Sequence, residues 1–404
     1  MNLRVIPIAV APSVAANTVA AQGLTTLPPL ALYVHYPWCV RKCPYCDFNS
    51  HEAKGNIPED DYLAALIADL EAALPQIWGR RIVSVFIGGG TPSLLSAQGL
   101  DRLLMALRAR LTLLPDAEIT LEANPGTVEA GKFAAFRAAG INRISLGIQS
   151  FDDRHLAALG RIHSAAEARH AVDLALRQFD NVNLDLMYAL PRQTLAEARR
   201  DIETAAACGV THLSAYHLTL EPNTPFHHAP PPLPDDDLAA DMQDMVEATL
   251  AGHGYQHYET SAFAQPGRRC AHNLNYWNFG DYLGIGAGAH GKISSPNGIV
   301  REVRRKHPRD YLAAAAQNDF VQERKSVGSD ELPFEFMMNA LRLTEGFPSR
   351  QFEERTGLPL TVIQAQLIAA QRAGLLEITA EQIAPSERGR RFLNQLLLGF
   401  LKDH

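Results

Sequence analysis

Three cysteines, Cys39, Cys43 and Cys46, stand close together in WCVRKCPYCDF with the spacing C-x3-C-x2-C. As thiolates on one short loop they can wrap one face of a compact metal cluster. No fourth cysteine lies nearby, and a 4Fe-4S cube held by three protein ligands keeps one iron open to an external ligand. Two other readings use the same residues. A zinc knuckle can be completed by His35 or His51, and Cys43 with Cys46 can form a redox dithiol. The other cysteines, Cys208 and Cys270, stand alone. Five in 404 residues is too few for a disulfide scaffold, and their clustering points to a reducing compartment.

Such a loop needs a frame to hold it. Between Leu30 and Leu220 six apolar runs read as strands: LALYVHY (30–36), VSVFIGG (83–89), EITLEAN (118–124), RISLGIQS (143–150), VNLDLMYAL (182–190) and HLSAYHLTL (212–220). Helical patterns such as DDYLAALIADLEAAL and HSAAEARHAVDLALRQF separate them. This alternation predicts an α/β fold, a partial (β/α)6 barrel over residues 29–265 built on a parallel sheet with crossover helices. Chemistry in such folds gathers at the C-terminal strand ends. Gly89, Gly90, Thr91, Glu122, Gln149, Asp185 and His217 fall there. Leaving so many polar groups unpaired would cost about 1–3 kcal/mol each, so the pattern argues for a site.

Residues 266–329 read as a connecting region, aromatic, His-bearing and Gly-rich at first. Residues 330–404 read as helices with one hairpin, a small winged-helix-like domain. The first 28 residues read as a mobile extension. They carry a single Arg and mimic a weak export signal, but Pro7 and Pro12 interrupt the apolar run, and the thiol cluster favours the cytoplasm. Hydrophobic residues make up 47% of the chain and charged residues 20%, as in globular proteins. Lys and Arg number 37 against 44 Asp and Glu, a balance of −7, so a nucleic-acid partner would meet net repulsion. No run approaches the roughly 18 apolar residues of a spanning helix.

The cysteine motif resembles the signature of radical S-adenosylmethionine (SAM) enzymes, and FIGGGTP (86–92) is similar to that family's glycine motif. The resemblance implies a 4Fe-4S cluster on Cys39, Cys43 and Cys46, with the amino and carboxylate groups of SAM on the open iron. YVHYPWC, LEANPGT, SLGIQSF, LGRIHS and NLDLMYALP narrow the likeness to the group around oxygen-independent coproporphyrinogen III oxidase. That group's SAM contacts fall on Tyr33, Tyr45, Gly89, Gly90, Thr91 and Glu122, and its second SAM site on Gln149, Arg161 and Asp185. Two departures separate this chain from the oxidase. Phe48 stands where the oxidase pattern has a fourth cysteine, and HNLNYW (272–277) looks like the H-N-x-x-Y-W motif of HemW-type heme chaperones.

A heme site needs an imidazole and flat apolar surface. His272 offers the first, and Tyr276 and Trp277, with Phe279 and Tyr282, the second. Cations for the propionates are available in Arg268 and Arg269, or in Arg304, Arg305 and Lys306. Three cofactors or ligands follow: the 4Fe-4S cluster, SAM and heme. The chaperone likeness implies delivery of heme to membrane-bound heme-accepting proteins, with transient contact at the cytoplasmic membrane surface, by a monomer or homodimer. The alternative is coproporphyrinogen III dehydrogenation.

Overall fold

A computed structural model describes Leu24, residues 26–127 and residues 129–401. The expected extension over 1–28 lies outside the described residues except for Leu24 and 26–28. Six strands, β1 (Leu30–Tyr36), β2 (Arg81–Gly89), β3 (Thr112–Ala123), β4 (Arg143–Gln149), β5 (Val182–Tyr188) and β6 (His212–His217), lie side by side in chain order, each parallel to the next. Helices α1 (Glu59–Ala73), α2 (Ala97–Arg110), α3 (Ala130–Ala139), α4 (Ala165–Gln178) and α5 (Leu195–Ala207) make the crossovers. The helix starts are written locally. Ser164 with Glu167 and Thr194 with Glu197 form reciprocal capping boxes that satisfy otherwise free amides at the starts of α4 and α5.

The sheet continues beyond these six. After α6 (Asp236–Gly252), β7 (Gln256–Glu259) and β8 (Ala262–Ala264) extend it antiparallel past β6. Helix α7 (Ala271–Trp277) then returns the chain to the far side, where β9 (Asp281–Ile285) runs parallel to β1. Strands β10 (His290–Ser295), β11 (Gly298–Arg304) and β12 (Val321–Ser326) complete twelve, in the order β12-β11-β10-β9-β1-β2-β3-β4-β5-β6-β8-β7. The C-terminal part packs α8 (Leu332–Ala340), α9 (Ser349–Thr356) and α10 (Gln364–Arg372) with a three-stranded sheet around Phe336, Phe347 and Phe352.

Burial of β1 on both faces explains its near-unbroken apolar character, as expected for the centre of a parallel sheet. Outside it, α1 carries a buried carboxylate. Asp69 takes a charged bond from Arg304 Nε at 2.8 Å, the Tyr311 hydroxyl at 2.9 Å and the Gly286 amide at 3.1 Å. Arg304 also donates to Glu302 at 2.7 Å. Removing one partner of a buried, fully bonded ion pair strands the other. Asp69→Ala should therefore cost about 3–5 kcal/mol, measured by urea unfolding; a loss below about 1 kcal/mol would show that the pair is not shielded from water.

Candidate functional site

The cysteine loop leaves the C-terminal end of β1. Trp38–Cys39 pairs with His51–Glu52, which closes the loop like a clasp. Asn49 fastens it from the side, donating to the carbonyls of Ala287 at 2.9 Å and Lys306 at 2.7 Å, while His35 Nε2 meets the Asn49 carbonyl at 2.9 Å. Lys42 donates to the carbonyls of Phe48 and Ser50, both at 3.1 Å. Cys39, Cys43 and Cys46 are free, half-buried thiols on the wall of one cavity of about 470 Å³.

That cavity gathers most of the residues the sequence nominated. Tyr45, Gly89, Gly90, Thr91, Glu122, Gln149, Arg161 and Asp185 all line it with the thiols. All but Arg161, which follows a short helix over Asp153–Ala158, come from the end of a parallel strand or the loop after it, which is where such folds place chemistry. The glycine turn packs tightly against the protein itself. A Cβ on Gly89, whose φ is +114°, would stand 2.5 Å from the His35 ring, and one on Gly90 would stand 2.6 Å from the Trp38 carbonyl oxygen. Only glycine lets β2 end flush against the lead-in to the cysteine loop. The amides of Gly90 and Thr91 then bond the carbonyls of Tyr36 and Trp38, both at 2.7 Å.

Charge in the cavity is uneven. Glu122 accepts the Gly89 amide at 3.0 Å. Its pKa is pushed up to about 8, first by burial and then by the neighbouring charge of Asp185. Burial raises Asp185 too, against the bonds it receives from Ser145 and Asn183. Arg161 spans the gap to the cysteines, donating to Asn124 Oδ1 at 2.6 Å, to the Gly147 carbonyl at 2.7 Å and to Cys43 Sγ at 3.6 Å. Its Nε is buried without a partner. Gln149 ends β4 with φ +69°, a left-handed conformation that is uncommon outside glycine and concentrates at functional positions.

The donor set fits an iron-sulfur cluster better than a single zinc. Among the described residues no three His, Cys, Asp or Glu side chains converge tightly enough to hold one metal ion. His35 has both ring nitrogens engaged, with Tyr33 and Asn49, and His51 faces His307. Burial raises the Cys39 and Cys46 thiols, and the charges of neighbouring thiolates oppose ionisation further. Three adjacent thiolates on this cavity therefore need a strongly cationic partner.

Tyr33 and the HNLNYW segment lie elsewhere. The Tyr33 hydroxyl bonds His35 Nδ1 at 2.9 Å, and its ring packs beside Phe86 inside the barrel, below the cavity wall. His272 is the second residue of α7 and is 1% exposed. Its Nδ1 meets Ser84 Oγ at 2.9 Å and its Nε2 the Tyr276 hydroxyl at 3.0 Å. Ser84 precedes the glycine turn by five residues, about 17 Å of strand, so this helix plugs the opposite end of the barrel from the thiols. Burial, and then the charge of Arg143, lowers the His272 pKa to about 3, so the ring is neutral.

The aromatic and cationic neighbours proposed for heme are also largely committed. Tyr276 packs edge-on to Tyr282, Phe279 is buried against Phe336, and Arg342 lies over the Trp277 ring. Arg304 is buried between Asp69 and Glu302, Arg305 is paired with Asp319, and Arg269 with Glu345, which corrects the expectation that they are free cations for propionates. Local sequence cannot reveal the pairing of Arg304 with Asp69, 235 positions away, or of Arg269 with Glu345, 76 positions away.

Several cavity residues were not singled out from the sequence. Asn124 bridges Thr91 and Arg161, Ser145 holds Asp185, and Tyr216 stands in the wall, 40% exposed. Asn124 lies inside LEANPGT and was within reach. Ser145 and Tyr216 look like ordinary strand residues until the register is known.

Comparison with known proteins agrees with this geometry. The radical SAM superfamily matches residues 33–205 and the HemN C-terminal domain matches residues 328–392. The chain is 50% identical to a protein of Escherichia coli K12 named heme chaperone HemW, over 94% of this chain and 100% of that one. The chain belongs to the HemW family of radical SAM proteins. The chain is also similar to a bovine mitochondrial protein named radical S-adenosyl methionine domain-containing protein 1, at 36% identity over 92% of this chain and 87% of that one. Among solved structures, the radical SAM enzyme coproporphyrinogen III oxidase (HemN) of E. coli superposes with a TM-score of 0.79, over 93% of this chain and 90% of that one. At 23% identity it shows that this HemW-family chain shares the fold. Superfamily membership implies a 4Fe-4S cluster and SAM. No helix among the described residues is long and apolar enough to cross a membrane.

Proposed function

We propose that this chain is a heme chaperone that binds heme and passes it, in the cytoplasm, to an acceptor protein at the membrane. The observation that carries the reading is the 50% identity to HemW of E. coli over 94% of the chain. Phe48 supports it, since an exposed apolar ring stands where the oxidase pattern has its fourth cysteine. In this reading Cys39, Cys43 and Cys46 hold the cluster. Tyr45, Gly89, Gly90, Thr91, Glu122, Gln149, Arg161 and Asp185 hold SAM, while Tyr33 acts through His35 behind the glycine turn. Bound to the open iron, SAM would be placed to accept one electron from a reduced cluster, a step that breaks its C5'–S bond and gives methionine and a 5'-deoxyadenosyl radical.

Heme is the cargo, and HNLNYW is its proposed receiver. Ligation of heme iron by His272 requires α7 to leave the barrel floor, exchanging the Ser84 and Tyr276 hydrogen bonds for the metal; Tyr276 and Trp277 then become free to face the porphyrin. Titrating the purified protein with hemin should give a shifted, saturable Soret band, and His272→Ala should weaken binding at least about tenfold. No shift with wild type overturns the chaperone reading. Wild-type behaviour of His272→Ala overturns the ligand assignment alone.

The intact cavity also favours a second reading, oxidative decarboxylation of coproporphyrinogen III. Anaerobic incubation of cluster-loaded protein with coproporphyrinogen III, SAM and a reductant decides between the two. The chaperone reading expects no protoporphyrinogen.

A further inference from the structure

The barrel interior is unusually polar beneath Asp185, and the register of three strands explains the arrangement. On β5 and β6, alternation puts Asn183 and Asp185 on one face and His212 and Ser214 beside them, because Asn183 pairs with His212 and Asp185 with Ser214. Ser145 comes alongside from β4, opposite Asn183. Asn183 fills its bonding capacity within this group. Its amide donates to Asp185 Oδ1 at 2.9 Å and Ser145 Oγ at 2.8 Å, and its Oδ1 lies 2.6 Å from His212 Nδ1 and 3.1 Å from Ser214 Oγ.

These contacts fix the direction of every bond. With the Asn183 amide nitrogen committed to Asp185, its oxygen must accept from His212 Nδ1–H. Burial, and then the charge of Arg143, keeps the His212 ring neutral, so its other nitrogen, Nε2, accepts, and it takes the Tyr258 hydroxyl proton at 2.8 Å. The Tyr258 oxygen in turn accepts the Cys270 amide at 3.3 Å, the residue that opens the HNLNYW helix. At the upper end, Ser145 has received one bond from Asn183 and gives its own proton to Asp185 Oδ2 at 2.8 Å. Both Asp185 oxygens are thus occupied from below, and their remaining lone pairs are left for the cavity that Asp185 lines. All members of the chain except Asp185 are buried.

We infer that Tyr258 and His212 are positioning residues: through Asn183 and Ser145 they aim the Asp185 carboxylate into the cofactor cavity and tie its orientation to the first turn of the HNLNYW helix. The assignment rests on the reading of Asp185 as a SAM contact. It adds a physical link between two regions at opposite ends of the barrel. A displaced α7 withdraws the Cys270 amide and frees Tyr258 to rotate, loosening the carboxylate at the other end.

The test is the SAM dissociation constant of the full-length, cluster-loaded protein. Asp185→Asn should weaken SAM binding. Tyr258→Phe, far from the ligand, should weaken it about tenfold with iron content unchanged, should lower the unfolding midpoint because His212 Nε2 and the Cys270 amide lose their partner, and should have no further effect on SAM affinity when combined with Asp185→Asn. His212→Gln, which keeps a donor and an acceptor, should bind SAM more tightly than His212→Leu. Wild-type affinity in Tyr258→Phe, or the same loss repeated in the Asp185→Asn background, overturns the inference while leaving Asp185 as a contact. Wild-type affinity in Asp185→Asn removes the contact itself. Histidine 15N shifts of the unsubstituted protein give a check independent of any variant. His212 should be the neutral Nδ1–H tautomer, and an Nε2–H or charged ring overturns the chain.

Discussion

Cys43→Ala should empty the protein of iron and sulfide and abolish SAM binding while leaving the fold intact. The three thiols share one cavity wall, and with two remaining the cluster loses one of its three sulfur corners, which His35, bonded at both nitrogens, is not free to replace. Arg161 loses its sulfur contact in the same step. The cost to stability should be small, within about 0.5 kcal/mol, because Cys43 is half-buried on a loop held by Asn49, Lys42 and the backbone. Iron and sulfide analysis after anaerobic reconstitution should show at least about a tenfold fall relative to wild type and to Cys208→Ala, whose thiol bonds the Thr204 carbonyl away from the cavity. Full iron content in Cys43→Ala would mean that the cluster is held elsewhere.

Glu122→Gln should separate stability from binding. The carboxyl is raised from 4.5 to about 8 in the fold, so the folded protein retains a proton that the unfolded chain releases as pH rises. Stability contributed by this group is therefore lost progressively between about pH 4.5 and 8 and stays lost above that range. At about 1.4 kcal/mol per pH unit, reduced by water at the cavity mouth, the uncharged amide should make the ligand-free protein more stable by on the order of 3 kcal/mol at pH 8.5. Near pH 4.5 the two should match. Measured at pH 8.5, where Glu122 is ionised, SAM affinity should fall about tenfold or more, because the substituted amide offers one acceptor oxygen where the carboxylate offers two. Parallel pH–stability curves for the two proteins would show that Glu122 is not the proton carrier.

Much of this architecture is legible in the sequence because it rests on local rules. Apolar runs bounded by glycine, proline and capping residues announce β1 to β6 and the helices between them, and the polar residues that close those runs turn out to share one cavity. The cysteine spacing and the glycine turn are legible for the same reason. Other features depend on contacts between distant residues. The parallel pairing of β9 with β1 joins residues some 250 positions apart, as Leu30 meets Asp281. The burial of Arg304 depends on Asp69, and the engagement of His272 depends on Ser84, 188 positions away. HNLNYW reads as an imidazole beside flat apolar surface, yet folding closes it into a barrel plug. A motif reports which side chains are present, whereas their availability depends on what the fold packs against them.

The central claim is a three-thiol iron-sulfur cluster whose open iron takes SAM, and electron paramagnetic resonance of the reduced, anaerobically reconstituted protein tests it most directly. The account predicts the spectrum of a reduced 4Fe-4S cluster, changed when SAM is added. Zinc in place of iron, or a cluster spectrum indifferent to SAM, would contradict it.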